Sequence, residues 1–274
     1  MIAGHAVYSK GWEWRFPNIS LTTEQIEKGK TDRFKNRGKA CQIINYFSGG
    51  ICNRDTPIKV LFLGNSHEPD AFNFFHAGYG DNKDLLMIKF GTLNRCKPME
   101  RVKDKWVSKS TECADRFANL MSAEFISDID YLVYSSRLPF GWNKKKSLEI
   151  LQHMKKINPD LSILVYGGYF STSSACAKLI NQSGRAETCA SPENVSKFEN
   201  KPETEPLYKD IMKLADGYID RVNLLCSDNN DVTTCLSATK GGIPVFYDQH
   251  HISLEFSEYS GKLYAKDHPD IFSK

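Results

Sequence analysis

From residue 58 onward, short apolar runs that stop at a turn residue alternate with longer helical patterns, and this alternation leaves few architectures open. The first run, Lys59-Val60-Leu61-Phe62-Leu63, ends at Gly64. So short and continuous an apolar stretch is expected of a strand buried on both faces. Leu85 to Phe90, Tyr131 to Tyr134, Leu161 to Tyr166 and Tyr218 to Leu224 are read as further strands. Residues 68 to 76, 112 to 125, 144 to 157 and 205 to 215 are read as helices, with 252 to 265 as the closing one. In the third of these, Leu148, Leu151, His153 and Met154 fall near one face, and Asn158-Pro159 marks the end. Strands alternating with helices predict an α/β fold: a three-layer α/β/α sandwich around a roughly five-stranded parallel sheet.

Two segments fall outside this alternation. Residues 1 to 57 form a polar N-terminal extension expected to pack on the main domain, 58 to 274. It carries the aromatic-basic stretch Gly11-Trp12-Glu13-Trp14-Arg15-Phe16-Pro17 and a charged, helix-compatible run from Thr22 to Lys35. Residues 171 to 206, rich in Ser, Asn, Glu and Pro, are read as a long loop.

Charge excludes some functions. With 36 basic against 33 acidic residues the net charge is +3, too balanced for nucleic acid or an anionic membrane as main partner. The cysteines say more. All eight fall into local pairs: Cys41 with Cys52, Cys96 with Cys113, Cys176 with Cys189, and Cys226 with Cys235. Eight cysteines allow about 105 connectivities, but each of these pairs brackets one polar, loop-like stretch. Zinc ligation and free core thiols are the alternatives. No C-x-x-C or Cys-His cluster at ligand spacing supports a metal. Disulfides would place the chain in an oxidising compartment such as a periplasm. Met1 to Pro17 does not read as a signal peptide, and no run approaches the roughly 18–20 apolar residues of a membrane span. Disulfides without an export signal lead us to expect a piece of a longer protein.

The first strand runs into Gly64-Asn65-Ser66-His67. In an open parallel sheet, ligands bind beyond the carboxyl ends of the strands. Ser66 is therefore a candidate nucleophile, with its own N–H near a helix N-terminus to help stabilise an oxyanion. A simple helix-capping role is the alternative. A serine nucleophile needs a base. Near the C-terminus, Asp248 and His251 in Tyr247-Asp248-Gln249-His250-His251-Ile252-Ser253 stand three apart. In a turn entering a helix, that spacing brings the carboxylate to one ring nitrogen and leaves the other to face the serine. His250 and His67 are alternative bases, and an N-cap role for Asp248 with two exposed histidines is the bland reading.

At these residues the chain resembles the SGNH hydrolase superfamily. Gly64-Asn65-Ser66-His67 is similar to its G-D-S block, and Asp248 to His251 with Ile252-Ser253 is similar to its closing D-x-x-H-[LI]-S block. A narrower resemblance, through Gly-Trp-x-x-Arg-Phe-Pro and the paired cysteines, is to periplasmic SGNH domains fused behind type-three membrane acyltransferases that O-acetylate bacterial surface polysaccharides. The resemblance implies a Ser66–His251–Asp248 triad without cofactor or metal. It implies an acyl donor, a polysaccharide acceptor, and a membrane acyltransferase domain in the full-length protein. Gly91, after the second strand, takes the position of one oxyanion donor. After the third strand the family's Gly-x-Asn is missing, and Arg137 or Asn143 is the substitute. Two other functions fit the same residues. One is an esterase in which water replaces the sugar; the other is a non-catalytic carbohydrate-binding module using Trp12, Trp14, Trp106 and Trp142.

Overall fold

The run that stops at Gly64 forms a strand, Ile58–Gly64, buried at every position. The computed structural model describes residues 21–91, 101–102, 105–106, 111–137, 144–199, 205–229, 232–239 and 243–273. In chain order the elements are α1 (Thr23–Asp32), β1 (Cys41–Gln42), β2 (Ile58–Gly64), α2 (Glu68–Tyr79), β3 (Leu85–Lys89), β4 (Arg101–Val102), β5 (Lys105–Trp106), α3 (Thr111–Leu120), α4 (Ala123–Ser127) and β6 (Tyr131–Ser135). Then come α5 (Lys144–Ile157), β7 (Ser162–Gly167), β8 (Tyr169–Thr172), α6 (Cys176–Ser183), β9 (Val195–Glu199), α7 (Pro206–Ile211), β10 (Gly217–Asp220), α8 (Arg221–Leu225), β11 (Cys226–Asn229), β12 (Val232–Cys235) and α9 (Leu254–Asp267). The chain divides into two compact units.

The larger unit comprises Asn36–Tyr169, Glu199–Arg221 and Ser257–Lys274. Its six-stranded sheet has the order β1-β3-β2-β6-β7-β10, with every neighbouring pair parallel. Alternating side chains serve the two faces, as the period of a strand requires. Leu61, Leu63, Ile88, Leu132, Ile163 and Val165 share one core with Phe117 of α3, Phe125 of α4, Leu151 of α5 and Ile211 of α7. On the opposite face Phe62 meets Phe72 and Phe75 of α2, while Tyr264 of α9 packs on Phe74. Sheet and two helical layers make the expected α/β/α sandwich. Gly64 is required where β2 ends: a Cβ there would stand 1.8 Å from the Ser135 carbonyl oxygen.

The smaller unit takes residues up to Lys35, Phe170–Phe198 and Val222–Phe256. It has its own core, in which Phe170, Ile180, Val222, Val245, Phe246 and Phe256 are all buried. Helix α1 starts with a capping box between Thr22 and Gln25 and lays Gly29 against the ring of Tyr247.

Several elements differ from expectation. The sheet gains a sixth strand, β1, whose two residues are too few to show a period. The single helix read over 112 to 125 is broken in two, because the Ser122 hydroxyl accepts the N–H of Phe125 and starts a new helix. The loop read over 171 to 206 contains β8, α6 and β9. Helix α6 buries Ala177 and Ile180 and stops at Gly184, whose φ of 67° is left-handed. The helix read over 205 to 215 is shorter, Pro206–Ile211. The strand read over 218 to 224 ends at Asp220, and Arg221 opens α8.

Three disulfides form as paired in the sequence: Cys41–Cys52, Cys176–Cys189 and Cys226–Cys235. Cys113 is buried and disulfide-bonded. Cys96, like Trp12, Trp14, Trp142 and the Gly11–Pro17 stretch, lies outside the described residues.

Candidate active site

Ser66 emerges where the central strand of the sheet leaves it. It is exposed, between buried Gly64 and buried His67. The N-cap position of α2 falls to His67, one residue past Ser66. Asn65 shapes the turn: its side-chain oxygen accepts the His67 N–H at 3.2 Å and its carbonyl accepts the Glu68 N–H at 3.0 Å. Turning the chain within two residues lifts the Ser66 side chain off the strand, at the rim where a parallel sheet binds ligands.

His67, weighed above as a base, turns into the protein. Its ring is 1% exposed, its Nδ1 lies 3.1 Å from Asp70 Oδ2, and it meets Tyr169 edge-on at 4.6 Å. Asp70 is fully buried and also faces Arg221, with Nη1 3.7 Å from the same oxygen. The Arg221 guanidinium lies over the Tyr169 ring at 3.5 Å. Sequence reasoning missed Asp70 and Arg221. The i,i+3 spacing of His67 and Asp70 was the one available signal.

Gly91 has the left-handed backbone, φ 78°, that its identity permits. Its N–H donates to Glu68 Oε1 at 3.3 Å, and its carbonyl accepts from Arg116 Nη1 at 3.1 Å. An oxyanion role for this N–H would therefore require exchange with Glu68. Arg137 follows β6 and is partly buried; Asn143 lies outside the described residues.

Asp248 and His251 meet within the smaller unit. The chain folds back between Phe246 and Ile252, which form a bridge, and Ser253 donates its N–H to the Val245 carbonyl at 2.8 Å. At the tip, Asp248 Oδ2 lies 2.6 Å from His251 Nδ1. Asp248 Oδ1 accepts the N–H groups of His250 and His251, both at 2.9 Å. Burial pushes the Asp248 carboxyl up, but the hydrogen bond and charge of His251 and the two backbone donors outweigh it, and the group is held well below the usual carboxylate range. Two anchors hold the turn from outside: the Cys176 N–H donates to the Asp248 carbonyl, and the Thr172 N–H to that of Gln249, each at 2.9 Å. Burial and the nearby Glu255 and Asp32 push the neighbouring Tyr247 hydroxyl up to about 12, so it stays neutral. The His250 and His251 rings form a tilted pair with their centroids 4.2 Å apart.

Because an ionised carboxylate only accepts, His251 carries its proton on Nδ1, and the lone pair of the neutral ring is on Nε2. Such an imidazole is oriented to take a proton from a hydroxyl.

Comparison with known proteins adds the family. No curated protein matches the chain. The periplasmic domain of a lipopolysaccharide acetyltransferase from Salmonella ser. Paratyphi A shares the fold, with a TM-score of 0.63 at 16% identity over 92% of this chain and 99% of that one. The family model described as the SGNH domain (fused to AT3 domains) matches residues 32–266, the span that holds both the Ser66 turn and the Asp248–His251 turn, and the chain belongs to that family.

Proposed function

We propose that this chain is a serine-dependent O-acyltransferase that carries an acyl group, acetyl in the first instance, on Ser66 and passes it to a hydroxyl of a bacterial surface polysaccharide. The observation that carries the reading is the 2.6 Å pairing of His251 Nδ1 with Asp248, the orienting bond that an acid–base imidazole needs. In the first step His251 takes the Ser66 proton as Oγ attacks the acyl carbonyl. The tetrahedral intermediate collapses, and the departing group of the donor leaves with that proton. In the second step a sugar hydroxyl gives its proton to His251 and attacks the acyl-serine. Collapse returns the proton to Ser66 and releases the acylated sugar. The Ser66 N–H is the first oxyanion donor in this reading, with Gly91, Arg137 and Asn143 as the candidates to complete it.

The family's fusion to AT3 domains supports a membrane acyltransferase partner that delivers the acyl group, and three disulfides support a periplasmic setting. No described helix is long and apolar enough to cross a membrane. The lipopolysaccharide acetyltransferase that shares the fold supports a glycan acceptor.

The test is to incubate the domain with p-nitrophenyl acetate, with and without de-O-acetylated lipopolysaccharide, and to look for acetyl-Ser66 by peptide mass spectrometry. Acetyl-Ser66 followed by acetylated glycan is expected. Release of acetate alone would assign the same triad to an esterase. No reaction in a folded protein would leave a carbohydrate-binding module.

A further inference from the structure

We propose that the buried Asp70–Arg221 pair is a positioning device for Ser66 that acts through His67; this role rests on Ser66 being the nucleophile. All the groups involved lie in the larger unit. Asp70 is 0% and Arg221 2% exposed. Burying opposite charges costs desolvation on both, and well-packed apolar residues of the same volume often stabilise a fold as well or better. The pair is therefore poorly explained as a stability device, and its contacts point elsewhere.

Those contacts converge on the residue after the nucleophile. Asp70 holds the His67 ring at Nδ1. Arg221 lies over the Tyr169 ring, and that ring meets His67 edge-on. The Tyr169 hydroxyl is 3.0 Å from Ser135 Oγ, and Ser135 Oγ donates to the His67 carbonyl at 3.1 Å. The His67 N–H is held by Asn65. His67 is thus fixed at its ring, its carbonyl and its N–H, and the Ser66 peptide between it and Asn65 has little freedom left. A nucleophile displaced by about 1 Å loses on the order of 10²-fold in rate, so a buried scaffold under this one turn has a catalytic consequence. Arg221 suits the task better than lysine, because a planar guanidinium both pairs with a carboxylate and stacks on a ring.

The experiment measures covalent labelling of Ser66 by a fluorophosphonate, read by intact mass, which needs no knowledge of the natural donor. The double variant Asp70→Asn/Arg221→Met removes both charges while keeping side-chain volume. Its limiting labelling rate should fall roughly 30- to 100-fold, with the half-saturating probe concentration and the circular dichroism spectrum unchanged. Arg221→Lys should recover only part of that rate. A folded double variant labelled within about threefold of the unaltered protein would overturn the proposal. Should the double variant not fold, Ser135→Ala leaves both charges in place and removes the hydroxyl that links the His67 carbonyl to Tyr169. A rate loss of about tenfold is then expected, and an unchanged rate would overturn the role. Ser66→Ala run in parallel separates the two claims. If labelling persists in it, the nucleophile assignment fails and this role with it. If labelling is abolished there but normal in the charge-free variant, only the positioning role fails.

Discussion

The carboxylate of Asp248 grips His251 twice: Oδ2 faces the ring Nδ1 at 2.6 Å, and Oδ1 accepts the backbone N–H of the same residue at 2.9 Å. One side chain thus sets both the tautomer and the backbone position of the imidazole. Asp248→Asn presents an amide that can donate where only acceptance is useful. Turnover of an acyl ester should fall about 10³- to 10⁴-fold, the scale on which a wrong tautomer acts. Circular dichroism should show the fold retained, and a variant within tenfold of normal turnover would contradict the orienting role.

The same carboxyl shapes stability against pH. Its folded pKa is depressed, so its contribution is fully present above its unfolded value of about 3.9 and fades as pH falls through the lower folded value. Melting temperature should therefore drop from about pH 4 downward. Asp248→Asn, with no proton to bind, should show a shallower acid limb. Equal slopes for the two proteins would exclude the linkage.

Gly29 tests how firmly the turn that carries Asp248 and His251 is supported. Gly to Ala in a helix ordinarily stabilises by up to about 1 kcal/mol. Here the added Cβ would stand 2.1 Å from the ring of Tyr247, next to Asp248. We expect the opposite sign, a loss of roughly 1–3 kcal/mol as an overpacked contact, together with reduced turnover. A rise in melting temperature on Gly29→Ala would show that the ring moves aside without cost.

Cys176 joins a crosslink to the same turn, since its N–H holds the Asp248 carbonyl and its sulfur is bonded to Cys189. Replacing both cysteines by alanine should cost roughly 2–4 kcal/mol of stability and lower turnover. Opening Cys226–Cys235 in the β11–β12 hairpin should lower the melting temperature with a smaller effect on rate. Denaturant titration and ester turnover on both double variants would decide it. Equal rate losses would deny the Cys176 anchor a special place.

The parts legible in the sequence are those that short-range pattern controls. The strands around Gly64, Leu85, Tyr131 and Ser162 announce themselves by continuous apolar runs, and Asp248 and His251 by three-residue spacing in one turn. Helix α6 escaped because only Cys176, Ala177 and Ile180 of its eight residues are buried, too short a stripe to stand out in a polar stretch. Arg221 escaped for another reason. A lone arginine inside an apolar segment gives no hint of burial, and its partners Asp70 and Tyr169 come from distant parts of the chain.

Strand β2 lies between β3 and β6 in the sheet, and this has a consequence for the order in which the chain can organise itself. Pairing with β3 needs only the neighbouring βαβ unit, but one edge of β2 stays open until Tyr131–Ser135 has been synthesised and docked. Non-local parallel pairing of this kind is slow, because loop closure is entropically costly before the contacts form. During that interval a largely apolar strand with an unpaired edge is exposed to other chains. Folding should therefore be most vulnerable to aggregation between the appearance of Gly64 and that of Ser135, and holdase chaperones should bind most strongly to chains stalled within that window.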